Sequence, residues 1–199
     1  MNPQTKEEGT GQEEAKQADA MFLRTILILA MIALAAILRV MPHPWNFTPV
    51  GAMALFSGAV IKDRRIAFLF PPAALFVGDF FVGFHKLMPL VYASFLVEVA
   101  LGYWIRNHHS AGRIAGVTAI GALQFFLITN FGVWAFLEGF PRTAAGLLAC
   151  YISGLPLLLN TLAGDAFYAT LFFGGLALAE HLFPVLRDSN QLSPAGAGD

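Results

Sequence analysis

Three carboxylates lie within long apolar stretches of the sequence: Asp79, Glu98 and Asp165. Where such a stretch crosses a membrane, an ionisable side chain is costly to bury and is therefore a candidate functional group. A buried carboxylate can bind a cationic or donor-rich solute, or carry a proton during transport. We predict that Asp79 contacts a solute, and that Glu98 and Asp165 have proton-linked or structural roles.

A second group of polar residues surrounds three prolines between residues 42 and 49. Each proline removes a backbone donor and restricts the residue before it, so no regular helix is expected there. An irregular segment between membrane spans lies at the interface or lines a protected cavity. We predict that four side chains of this segment contact the same solute: His43, Trp45, Asn46 and Thr48.

Amides and an indole in the later part of the chain complete the candidate site. Asn130 and Trp134 are four residues apart, so they share one face of a helix and can meet a single ligand. Gln124 and Asn160 are further polar groups within apolar stretches. We predict a proton-linked or structural role for these two amides.

Each assignment has a structural alternative. The amide side chains can hydrogen-bond neighbouring helices, or backbone groups that the prolines leave unpaired. Asp79 can pair with Arg39 or bond the irregular backbone near Pro49. Glu98 can be an uncharged group that serves only to hold the bundle together. Both interpretations account for the sequence.

The composition is that of a membrane protein. Of the 199 residues, 57% are hydrophobic and 13% are charged, whereas a soluble domain carries about 25% charge. The apolar residues also occur in blocks long enough for transmembrane helices. We therefore predict a multi-pass protein of a bacterial inner or plasma membrane, with the lipid bilayer as its surroundings.

Several function classes find no support in the sequence. The net charge of −1 provides no basic surface for a nucleic acid partner. The single cysteine excludes an intrachain disulfide, and no Cys/His cluster has the spacing of a zinc site. Motifs of serine hydrolases, metalloproteases, P-loop proteins and dinucleotide-binding enzymes are absent. We predict no metal, no cofactor and no enzymatic activity.

The predicted fold class is all-α, a polytopic bundle of about six spans with an irregular outer segment after span one. The second segment is short for a span, which needs about 20 residues. The sixth is too long, so we expect it to be kinked or broken near Pro156, and it could cross once or twice. The six apolar segments are Phe22–Val40, Phe47–Ile61, Ile66–Phe84, Met88–Ile105, Ile114–Leu137 and Thr143–Phe183.

Polar tails flank a single transmembrane domain over residues 21–185. Residues 1–20 and 186–199 are expected to be disordered cytoplasmic tails. With a cytoplasmic N-terminus, nine of the twelve basic residues fall on the inside, as the positive-inside rule requires. Both termini are then cytoplasmic, and the segment around Asn46 faces the exterior. At the start of the fifth span, Gly112-x3-Gly116 has the spacing of close helix packing, which we assign to contacts inside the bundle, with dimerisation as the alternative.

Three blocks of the sequence are similar to a known family. They are Asn46–Ala59, Phe126–Trp134 and Pro141–Asp165, with Leu155-Pro156 and Asn160 to Asp165 in the last. Together they resemble a family of bacterial integral membrane proteins known as a domain of unknown function, over roughly residues 23–182. The resemblance implies a membrane fold and no particular activity.

The overall plan also resembles the substrate-binding subunits of energy-coupling-factor importers. That likeness implies a ligand near the outer face, capped by the loop after helix one, and a transmembrane coupling subunit with ATPases as partner. The first span has alanines at 30, 33, 35 and 36 without the alanine-x3-alanine spacing of those subunits.

The leading functional hypothesis is a membrane protein that binds a small polar solute near the outer face and assists its uptake. A non-transporting scaffold or assembly protein is the alternative, and an intramembrane enzyme a third possibility.

Overall fold

A computed structural model describes residues 3–41, 44–108 and 110–187 of the chain. Within these ranges the protein has six α-helices, one short 3₁₀ helix at Pro184–Leu186 and no β-strand, which confirms the predicted all-α class. The α-helices are α1 (Pro3–Val40), α2 (Val50–Val60), α3 (Arg64–Val82), α4 (Met88–Ile105), α5 (Ala111–Phe136) and α6 (Ala144–Leu182).

Each predicted apolar segment corresponds to one helix, with two differences in extent. α1 begins at Pro3, so it extends into the polar stretch that was expected to be a tail. α6 runs without interruption through Pro156, so the last segment, which was expected to be kinked or broken there, is not broken. Its 39 residues correspond to about 58 Å at 1.5 Å per residue. The predicted tail at residues 186–199 lies largely outside the described residues.

The outer surface of the bundle is that of a membrane protein. Four helices are long and apolar enough to cross a bilayer: α1 over Ala18–Ala35, α4, α5 and α6. α2 has only 11 residues, and α3 carries three charged residues among 19. Large hydrophobic side chains are exposed on these helices, including Phe22, Leu69, Phe81, Leu159 and Leu182. In a bilayer these side chains contact lipid.

The short helix α2 forms the centre of the bundle. All 11 of its residues are buried, and it packs against α1, α3, α4, α5 and α6. Its closest approach is to α4, because Gly58 faces the backbone of Val99 and Gly102 faces the backbone of Leu55. Phe56 packs edge-on against Phe173 of α6, with ring centroids 5.2 Å apart. A helix this short spans no membrane alone but fills the interior of the bundle.

Two ion pairs connect α1 to its neighbours, one towards each end of the bundle. In the middle of α1, Arg24 bonds Glu180 of α6 at 3.0 Å. Near its end, Arg39 bonds Asp79 of α3 at 2.5 Å. The segments 44–49 and 83–87 therefore lie at one end, which we call the Asn46 end. The segments 61–63 and 106–108 lie at the other, which we call the Arg106 end.

Arg106 closes the buried C-terminus of α2. Its Nη2 donates to the carbonyl of Gly58 at 2.9 Å and also to that of Ile61. Its Nη1 donates to the carbonyl of Lys62 at 3.2 Å, and its guanidinium lies 4.3 Å from the ring centroid of Tyr103. The last carbonyls of a helix have no partner within it, so this arginine supplies the missing donors.

We expect Arg106→Ala to lower the free energy of unfolding by about 1–3 kcal/mol, because it leaves buried carbonyls without donors. Arg113→Ala is the matched control, since Arg113 bonds one exposed carbonyl, that of His108, and its loss should stay within about 0.5 kcal/mol. Unfolding in detergent measures both. Equal losses would contradict the role of Arg106 at the end of α2.

Candidate functional site

A polar cavity of about 270 Å³ opens at the Asn46 end and reaches the centre of the bundle. It extends from the exposed loop residue His85 to the buried carboxylates of Glu98 and Asp165. Polar residues form most of its lining: Arg39, Asn46, Thr48, His85, Glu98, Thr129, Thr161 and Asp165. Its other lining residues are Gly51, Val91, Phe95 and Phe125. A space with this lining can hold a small polar molecule.

The irregular segment 44–49 forms one wall of the polar cavity. It is anchored on α6, where the side-chain amide of Asn160 donates to the carbonyl of Trp45 at 2.9 Å. Gly164 permits the approach of this segment, because a Cβ there would lie 3.1 Å from the Cα of Phe47. Asn46 has φ of 61°, a left-handed conformation that asparagine tolerates better than most residues. This turn places Asn46 and Thr48 on the cavity.

Arg39, one partner of an ion pair with Asp79, forms another part of the wall. Arg39 lines the cavity, and its Nη2 donates to Asp79 Oδ1 at 2.5 Å. The other carboxylate oxygen of Asp79 accepts from Tyr92 Oη at 2.6 Å. Asp79 itself does not line the cavity, so the geometry gives no support to its predicted contact with a solute. It supports the alternative, in which Asp79 pairs with Arg39.

Two carboxylates form the floor of the polar cavity. Glu98 of α4 and Asp165 of α6 are 2% and 4% exposed, and both approach Gly51 at the start of α2. Asp165 accepts a hydrogen bond from the backbone N–H of Ala52. The N-terminus of a helix carries a partial positive charge, and Pro49, the cap residue of α2, provides no side-chain bond. The carboxylate of Asp165 therefore takes the place of a capping side chain.

An apolar surface completes the cavity. The rings of Phe95 and Phe125 are stacked, with centroids 5.2 Å apart and planes inclined by 30°, and Val91 lies beside them in the lining. Glu98 is held from α5, since Gln124 Nε2 lies 3.5 Å from its Oε1 and 3.0 Å from the carbonyl of Ser94. The arrangement suits a molecule with a donor-rich side and a flat apolar side.

Several predicted site residues lie away from the polar cavity. Asn130 Nδ2 donates to the carbonyl of Phe126 one turn earlier, at 2.9 Å. Trp134 Nε1 donates to the carbonyl of Pro141 at 2.9 Å. Trp45 has a side chain that is 82% exposed. None of these three residues lines the cavity. Of the residues predicted to contact the solute, only Asn46 and Thr48 are among its lining residues. His43 lies outside the described residues.

The structure brings in four residues that sequence reasoning missed: Arg39, His85, Thr129 and Thr161. The threonine hydroxyls bond the carbonyls of Phe125 and Leu157, at 2.7 and 2.9 Å. Such bonds are common for any threonine in a helix, so the sequence held no signal for a site. Gln124 and Asn160, predicted as proton-linked or structural, both hold neighbouring elements in place.

Among the described residues, no three His, Cys, Asp or Glu side chains form a cluster that could hold a metal ion. Glu98 and Asp165 are the two carboxylic residues among those that line the polar cavity. These carboxylates can accept hydrogen bonds from a bound molecule and balance its positive charge.

The model of one protein family, described as a family of unknown function (DUF6580), matches residues 20–186. This match confirms the resemblance to an uncharacterised family that the three sequence blocks predicted. No curated protein and no solved structure matches the chain.

Proposed function

The chain belongs to the DUF6580 family, and we propose that this membrane protein binds a small polar solute in the polar cavity and assists its uptake. The observation that carries the proposal is the cavity itself, about 270 Å³ in volume, which leads from an exposed loop to two buried carboxylates. Cavities that bind small molecules typically measure about 300–1,000 Å³ and combine apolar walls with a few placed polar groups. The volume here favours a small ligand.

The charges around the cavity favour a ligand that donates hydrogen bonds. The charge of Arg39 is balanced by Asp79. Glu98 and Asp165 line the cavity, and no ion pair within the described residues involves either of them. Asn46 and Thr48 add acceptor and donor groups. An amine or polyhydroxyl group would meet the carboxylates, while an apolar portion would pack on Phe95 and Phe125.

The distribution of basic residues supports an outward-facing cavity. The Arg106 end carries the greater share of them, as the cytoplasmic side does in membrane proteins. On this proposal the termini are cytoplasmic and the Asn46 end is external. The basic residues near the Arg106 end are Lys62, Arg64, Arg65, Arg106 and Arg113.

Uptake requires a route beyond the floor of the cavity. A groove of about 480 Å³ lies between α5 and α6 at the Arg106 end and extends to Thr118. Thr118 is one turn from Gly121, where a Cβ would lie 3.3 Å from the Cγ of Glu98. The groove and the cavity therefore approach one another across Glu98. A coupling subunit with ATPases would supply energy, as in the importers that the overall plan resembles.

Filling the polar cavity should remove the bound solute. We expect native mass spectrometry of gently purified protein to detect a polar small molecule, and we expect Thr129→Phe to reduce its recovery about tenfold or more, because the ring occupies the cavity. Thr25→Phe is the matched control, since Thr25 makes the same hydroxyl bond to the preceding turn, at 2.8 Å, on an exposed face of α1.

Two outcomes would contradict the proposal. One is the recovery of lipid alone from the wild-type protein, and the other is equal recovery of the small molecule from both variants. Asn130→Ala, by contrast, should leave recovery unchanged, because Asn130 does not line the cavity.

A scaffold function is the second candidate, and specific hydrogen bonds favour it. Asp79, Asn130 and Trp134 bond groups of the protein itself, as expected of residues that hold an irregular bundle together. A scaffold has no need for the polar cavity, so the Thr129→Phe experiment separates the two functions.

A further inference from the structure

A second, much smaller cavity lies directly beyond the floor of the polar cavity. Its volume is about 10 Å³, close to the least space that holds one water molecule. Gly51, Glu98 and Asp165 line both cavities, and Thr118 and Gly121 of α5 close the small one on the far side. We call this space the inner cavity.

Two side-chain oxygens at the inner cavity are buried and lack partners. Glu98 Oε2 and Thr118 Oγ1 make no hydrogen bond to any residue that the structure describes. Glu98 is 2% exposed and Thr118 is 8% exposed, so bulk solvent does not satisfy them. Buried polar atoms are nearly always paired in folded proteins. Two such oxygens at one small space indicate that a bound species belongs between them.

The carboxylates are arranged to share that species. The position that a Cβ of residue 51 would occupy lies 2.5 Å from Asp165 Oδ1 and 2.8 Å from Glu98 Oε2. Only glycine at position 51 lets both carboxylates come this close to the start of α2. Both oxygens thus lie against the same residue, in an interior of low dielectric constant where two like charges repel strongly. A cation between them removes that repulsion.

We propose that the inner cavity binds a dehydrated sodium ion through Glu98, Asp165 and Thr118. All of these ligands are oxygens, which hard cations prefer. Calcium usually takes six to eight oxygen ligands, and magnesium usually retains several of its waters. An inner cavity of about 10 Å³ has no space for such waters. Potassium is larger than sodium and fits this space less well.

The sodium site would be coupled to solute binding, and this consequence rests on the proposed function. A cation in the inner cavity changes the charge that Glu98 and Asp165 present to the polar cavity. Sodium and solute would therefore alter each other's affinity by the same factor. For an amine solute the two would weaken each other, because sodium neutralises the charge of the carboxylates that the amine meets.

The test measures thermal unfolding of the full-length protein in detergent, with no solute added. Sodium, potassium and choline chlorides are compared at equal ionic strength and fixed pH, and calcium chloride is tested separately. We expect the unfolding temperature to rise and saturate with sodium alone, as for a ligand that binds the folded state. Thr118→Val should weaken the apparent sodium affinity by about tenfold or more.

Thr129→Val is the matched control, because Thr129 lines the polar cavity and not the inner one. It should leave the sodium response unchanged. Thr118→Val should fold normally in choline chloride, since it removes a hydroxyl that has no partner among the described residues. Equal unfolding temperatures in all three monovalent salts, a response to calcium instead of sodium, or a full response in Thr118→Val would each overturn the sodium site.

The same measurement in Thr129→Phe separates this inference from the proposed function. If Thr129→Phe keeps the sodium response and wild-type protein yields no solute, the sodium site stands and solute binding is rejected. If wild-type protein yields a solute but shows no sodium response, solute binding stands and the sodium site is rejected.

Discussion

Arg39→Ala is expected to lower the free energy of unfolding by about 3–5 kcal/mol, because it leaves a buried carboxylate without its cationic partner. Asp79 has a side chain that is only 2% exposed, and Arg39 is 15% exposed. The remaining bond from Tyr92 cannot balance a full charge. Unfolding in detergent, followed by circular dichroism or by titration with a denaturing detergent, measures the loss.

A double variant tests whether charge is the cause. Arg39→Met combined with Asp79→Asn removes both charges and keeps an acceptor for Tyr92, so it should regain most of the lost stability. Arg24→Ala serves as the control, since its partner Glu180 is 25% exposed and such a pair contributes about 1 kcal/mol or less. A double variant as unstable as Arg39→Ala would show that packing of the arginine, and not its charge, stabilises the protein.

Gly102→Ala is the second substitution for which a large effect is expected. An added Cβ would overlap the carbonyl of Leu55 and lie 3.0 Å from the backbone nitrogen of Ala59. Overpacking typically costs about 1–3 kcal/mol, and the upper end is expected here because backbone cannot rotate away as a side chain can. The same experiment applied to Gly58→Ala should give a similar loss, since Gly58 faces the backbone of Val99.

The two glycines should not act independently. Once α2 and α4 separate to accommodate one methyl group, the second methyl group destabilises the protein less. The double variant should therefore lose less free energy of unfolding than the sum of the two single losses. Gly116→Ala is the control, because no described atom outside its own helix lies within 4 Å of a Cβ there. It should be neutral or stabilise by about 0.5–1 kcal/mol. A loss at Gly116 equal to that at Gly102 would contradict this account of the α2–α4 contact.

These glycines also show where sequence patterns were misleading. Gly112-x3-Gly116 has the spacing of close helix packing, but a Cβ at either position would meet no described atom beyond its own helix within 4 Å. The predicted contact inside the bundle is therefore wrong. The close approach uses Gly58 and Gly102, which lie on different helices and form no pattern within one segment.

The proposed site differs from the predicted one because polar groups in helices have several possible partners. An asparagine such as Asn130 can bond the carbonyl one turn earlier, and nothing in its sequence neighbourhood distinguishes that use from ligand binding. Trp134 bonds the loop at Pro141. Glu98 and Asp165 were predicted as polar groups within spans, but their convergence at Gly51 follows only from where α2 begins.

The sequence by itself determined the membrane class, the six helical segments and the irregular segment after the first. These features depend on local properties: the length of apolar runs, and the backbone donors that prolines remove. The family assignment likewise rests on blocks of adjacent residues.

The tertiary structure decided which polar groups meet and what space they enclose. α2 is too short to cross a membrane and begins with buried residues beside Glu98 and Asp165. Its start brings residues from α4, α5 and α6 around the polar and inner cavities. Helical periodicity gives the face of each side chain within one helix, but not the rotation and depth of that helix relative to its neighbours. Packing between helices sets both, and the position of the candidate site depends on them.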